Sequence, residues 1–102
     1  MVVDYLHEYE SFVYLNISPQ VPVEMRRAWA QMGLVAETGE LVEIYEKALR
    51  KKGGIDPDDL DKMVDEAGDV LWYLTALCTE LGIGLEDLIN HNIMKLKARG
   101  NK

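Results

Sequence analysis

Basic residues, cysteine and proline are all scarce in this chain of 102 residues, and each shortage removes a class of protein. Lysine and arginine number 11 against 18 aspartates and glutamates, a net charge of −7, so the basic stripe of a general DNA or RNA binder is missing. A nucleotide that arrives with its own cation is not excluded by that balance. Cys78 is the only cysteine, so no internal disulfide can form, and Leu74, Leu77 and Leu81 around it mark an inert core thiol. No apolar run approaches the ~20 residues needed to cross a bilayer. The opening MVVDYLHEYE lacks the basic start and apolar centre of a secretory signal. A cytoplasmic protein is expected, with neither a membrane nor a nucleic-acid polymer as partner.

Apolar residues make up 48% of the chain, and only three prolines interrupt its long periodic stretches, so the expected class is all-α. The length suits a single domain, residues 1–102. Helical spacing of Tyr5, Leu6, Tyr9, Phe12 and Val13 predicts a first helix from Val2 to Leu15, ended by the connector Asn16-Ile17-Ser18-Pro19. A second helix is predicted from near Val23 to about Lys52, where Arg50, Lys51 and Lys52 suit a helix C-terminus and Gly53-Gly54 stop it. Asp56 as N-cap, Pro57 at the first helical position and Asp58 and Asp59 in the first turn start a third helix, running to about Leu81. A fourth follows from about Leu85 to Arg99, acidic at its start (Glu86, Asp87) and basic near its end. Together these describe a four-helix bundle-like domain.

Two acid pairs break the apolar pattern. In the second helix Leu34, Leu41, Ile44, Tyr45 and Ala48 share one arc, and the position completing that stripe holds Glu37, with Glu40 on its border. In the third helix the core stripe is expected at Leu60, Met63, Val64, Ala67, Val70, Leu71, Leu74, Leu77 and Leu81. Glu66, Asp69 and Tyr73 form a flank beside it, and both acids are expected to be partly enclosed. Gly68 between them predicts a close approach of another helix or a ligand, since glycine costs about 1 kcal/mol in a helix interior. Residues three apart share a helix face, so each pair aims its oxygens one way. Four converging acids want a cation between them, because enclosing like charges without compensation is costly. Magnesium, with manganese as a substitute, fits such oxygen donors and usually accompanies phosphate chemistry. Acid pairs at this spacing are also common on solvated faces, and Glu43 and Glu46 are read that way, with Glu43 able to pair with Lys47. Neutralisation of the site acids by Arg26 or Arg27 stays open, although both lie about 15 Å or more along the helix from Glu37.

Glu37-Thr-Gly-Glu40-Leu, followed after residues 41–65 by Glu66-Ala-Gly-Asp69-Val-Leu-Trp-Tyr-Leu, resembles the all-α nucleoside triphosphate pyrophosphohydrolases of the MazG type. Gly33-Leu-Val-Ala-Glu37 is similar to that family's approach to its first acid pair, and Asn92-Ile-Met-Lys95-Leu-Lys-Ala-Arg99 to its closing motif. The resemblance spans about residues 26–99 and favours the compact, phage-type members. Gly100 stands where many members carry an aromatic residue. The resemblance implies that Glu37, Glu40, Glu66 and Asp69 are metal ligands and catalytic acids, one of them, Glu37 for instance, also receiving a proton. It implies hydrolysis of nucleoside or deoxynucleoside triphosphates to the monophosphate and pyrophosphate. On spacing alone Lys95 and Arg99 equally complement the helix C-terminus; the resemblance implies that they contact phosphate, with Asn92 orienting a phosphate or the base and Trp72 as a candidate wall of the base pocket. Trp29 is more readily core, and His91 reads as a surface or interface residue.

The apolar residues of the first helix, with two-sided apolar second and third helices, exceed what a small bundle covers alone. A homo-oligomer, dimer or tetramer, is expected, with its nucleotide pocket near the interface. Competing readings are a phosphoribosyl-ATP pyrophosphohydrolase and a non-catalytic helical oligomerisation or metal-binding module.

Overall fold

The computed structural model describes residues 2–100 and is all-helical, in the order α1 (Val2–Leu15), a 3-10 turn (Val23–Met25), α2 (Arg26–Lys52), α3 (Pro57–Leu81) and α4 (Leu85–Ala98). The helix limits follow local chemistry. Asp56 accepts a hydrogen bond from the backbone N–H of Asp59 at 2.9 Å, while the Asp59 carboxylate accepts from the Asp56 N–H at 3.1 Å, a reciprocal capping box. Lys52, in the last turn of α2, donates to Asp56 at 2.6 Å and to Asp59 at 2.7 Å, so one ammonium clasps the α2–α3 elbow. Asp59 is buried, and this clasp is what makes its charge tolerable there. α2 and α3 end on Gly53 (φ 77°) and Gly82 (φ 72°), left-handed positions that only glycine fills without strain.

α2 and α3 form a long antiparallel hairpin, by far the most extensive contact in the chain. At its tightest point the ring of Tyr73 lies over Gly33, where any Cβ would overlap it. Trp29, Trp72 and Tyr73 meet edge to face around that contact, with ring centroids 5.1 to 6.0 Å apart. α1 crosses the open end of the hairpin, and Val13, Ile17, Ala30 and Ala76 form the core beneath it. Cys78 is buried, and burial first, the Glu10 charge second, raises the pKa of its thiol, as suits an inert core group.

α4 packs chiefly on α1 rather than closing over the hairpin. The radius of gyration is 16.3 Å, against about 13 Å for a compact chain of ~100 residues. This openness corrects the expected core stripe of α3. Leu60, Val64 and Leu71 share a face with Thr75 and Cys78, but only the last two are buried, because α1 covers only the C-terminal half of that face. Leu81, at the end of the expected stripe, is also exposed. A Cβ at Gly68 would meet no atom within 4 Å beyond its own helix, so nothing among the described residues accounts for the close approach expected there.

Candidate metal centre

The hairpin register sets the middle of α2 against the middle of α3, and with it the two acid pairs. Glu37, Glu40 and Glu66 each present a carboxylate oxygen within 4.8 Å of the others. Glu37 and Glu66 are half-buried and Glu40 is exposed, so the triangle opens toward solvent on one side. Asp69, expected to be partly enclosed, is exposed and stands outside this triangle. Its charge is nonetheless felt by both Glu37 and Glu66.

Glu37 Oε2 and Glu66 Oε2 are buried and meet no hydrogen-bond donor. Arg26 and Arg27 do not relieve them. Among the described residues no ion pair reaches the cluster, and Arg27 instead donates to the Glu80 carbonyl at 3.4 Å. The result is written in the proton affinities. The Glu37 carboxyl is pushed up to about 7, chiefly by the adjoining Glu40 carboxyl, which favours a shared proton, and then by loss of water. Glu66 is raised mainly by burial. A proton or a cation shared among these oxygens relieves their crowding. Hard oxygen donors with two orphaned atoms suit a divalent ion such as magnesium or manganese.

By contrast, Glu43 pairs with Lys47 at 3.2 Å and Glu46 with Arg50 at 2.9 Å, both exposed, as the solvated-face reading anticipated. Asn92 and Lys95 are exposed on α4 and Arg99 is exposed at its C-terminal cap; α4 packs chiefly on α1, so within one chain they are not gathered with the acids. Trp72 is half-buried in the aromatic cluster with Trp29, and His91 is exposed. The Gly33–Tyr73 contact escaped the sequence reading. Its only signal was that Gly33 stands one and two turns before the acids on the same α2 face.

Unpartnered carboxylates facing each other across a helix pair form an arrangement that a cation would fit. Residues 30–102 match the MazG nucleotide pyrophosphohydrolase domain, and the chain belongs to that family, a pyrophosphohydrolase-type class of hydrolase. It is similar to the Gene 37 protein of Mycobacterium phage L5, with 36% identity over 76 residues covering 74% of this chain and 67% of the phage protein. No solved structure matches it. No helix among the described residues is long and apolar enough to cross a membrane.

Proposed function

We propose that this protein is a cytoplasmic, magnesium-dependent enzyme that hydrolyses nucleoside or deoxynucleoside triphosphates to the monophosphate and pyrophosphate. The observation that carries this reading is the meeting of Glu37, Glu40 and Glu66 within 4.8 Å of one another, two of them with orphaned buried oxygens. Asp69 is assigned as a fourth ligand because its charge already acts on Glu37 and Glu66 from the adjoining turn. When bound, the cation supplies charge compensation for phosphate oxygens and lowers the pKa of a water. Glu37, which keeps an orphaned buried oxygen beside Glu40 and Glu66, is the carboxyl we assign to receive the proton of the attacking water. Tyr73 and Gly33 set the spacing between the helices that present these acids.

Among the described residues no ion pair reaches the acids. Lys95 and the C-cap residue Arg99 continue the face of α4 that carries Asn92, at positions i+3 and i+7, and that helix packs chiefly on α1 rather than on the hairpin. We assign these residues to phosphate binding in a homo-oligomer, where a second copy brings its α4 to the acids. The bare half of the α3 face, Leu60, Val64 and Leu71, supports such an assembly, being apolar and exposed at 43 to 70%.

Incubation with a panel of triphosphates and magnesium, followed by phosphorus NMR, tests the reading. Pyrophosphate and monophosphate are the expected products, in a wild-type reaction that chelator stops. Glu40→Gln should reduce turnover to background while leaving the helical signal in circular dichroism intact. Wild-type rates in that variant would remove Glu40 from the site, and release of single phosphate would contradict the reaction.

A further inference from the structure

The N-terminus of α4 is capped from the far end of the sequence. The backbone N–H of Leu85, the first residue of α4, donates to Glu10 Oε2 of α1 at 2.7 Å, across 75 residues of chain. The local N-cap position is Gly84, with extended backbone (φ −81°, ψ 160°), which offers no side-chain oxygen of its own. The carboxylate also crowds the Gly84 position. A Cβ at Gly84 would stand 3.3 Å from Glu10 Oε2, so a serine or aspartate there, the usual choices for a cap, would press on Glu10. A carboxylate at a helix N-terminus gains both a charge-assisted hydrogen bond and the favourable end of the helix dipole. Leu85 itself is buried, where a backbone N–H without a partner is costly.

We propose that Glu10 is a positioning residue that fixes the direction in which α4 leaves the body of the protein. The packing supports a pin rather than a decoration. α4 rests mainly on α1, and Glu10 holds the end from which the whole helix projects. A small rotation at Leu85 is carried along the helix to Arg99, about 20 Å away at 1.5 Å per residue. α1 lies outside residues 30–102, the part matching the family, so control of α4 comes from a segment beyond the matched core. The consequence for function rests on the reading above. Glu10 touches no reacting group, but it governs where Asn92, Lys95 and Arg99 stand.

The test compares Glu10→Ala with Glu10→Gln, which keeps an acceptor oxygen. Residual dipolar couplings of the α4 amides, measured against those of α2 and α3, report helix direction without reference to activity. In Glu10→Ala the α4 couplings should change and exchange of the Leu85 amide should quicken on the order of tenfold, the loss of one charge-assisted hydrogen bond. Glu10→Gln, which keeps an acceptor but not the charge, should keep the wild-type couplings and show exchange intermediate between wild type and Glu10→Ala. The KM for triphosphate should rise about three- to tenfold in Glu10→Ala with kcat little changed, the pattern of lost binding rather than lost chemistry. Unchanged couplings in Glu10→Ala overturn the pin. Altered couplings with an unchanged KM overturn its role in placing the phosphate-binding row. An inert wild type strikes the triphosphate reading alone, and the couplings still decide the pin.

Discussion

Glu37 concentrates the chemistry of the acid cluster, and its raised proton affinity has a consequence for stability. In the unfolded chain a glutamate titrates near its ordinary value of 4.5, whereas in the fold Glu37 holds its proton up to about 7. Between those values the folded state binds more protons than the unfolded one, so stability is full at the acid side and falls as pH rises through the window. The metal-free protein should therefore melt at a lower temperature at pH 8 than at pH 5. Magnesium should raise the melting temperature most at pH 8, where no proton competes for the oxygens. Glu37→Gln should flatten the pH dependence, and a wild type melting higher at pH 8 without metal would contradict the account. At Gly33 the issue is space. Gly33→Ala should destabilise by about 1–3 kcal/mol, because Tyr73 is held by Trp29 and Trp72 and cannot swing aside freely. Tyr73→Leu in that background should recover part of the loss in urea denaturation.

Helix limits are the most legible layer of this protein, because caps act over a few residues. Asp56, Pro57 and Asp59 announce the start of α3, and Gly53 and Gly82 end α2 and α3, all at the positions the sequence suggests. Replacing Asp59 with alanine should lower stability by about 1–3 kcal/mol, since Lys52 loses one acceptor and the Asp56 N–H loses its partner. A change below a few tenths of a kilocalorie in chemical denaturation would mean that the elbow clasp is idle. The acid pairs were equally readable, as Glu37 interrupts an apolar arc and helical spacing alone orients Glu66. Less was readable where the answer depends on distant chain. Leu60, Val64 and Leu71 look like core in one dimension, yet α1 is too short to cover them. No local pattern links Glu10 to Leu85, and Asp69 is exposed although it lies one turn from the half-buried Glu66.

For the molecule as a whole the decisive quantity is uncovered apolar surface. Tyr5, Phe12, Val35, Val42, Val64 and Leu71 are all large, apolar and exposed in one chain, far more than scattered surface residues require. Val64→Lys tests whether a second copy covers the α3 face. In an isolated chain this substitution at 70% exposure would shift stability by no more than about 0.5 kcal/mol. In an assembly it should instead lower the mass seen by light scattering to that of one chain, and take turnover with it. An unchanged mass would leave the bare face unexplained. If a partner does cover the open flank of the hairpin, formation of working protein is a second-order event. Freshly made chains at low abundance would then be idle halves, and catalytic output would climb faster than protein amount until pairing saturates. Dilution alone should silence the enzyme, reversibly, with no inhibitor present.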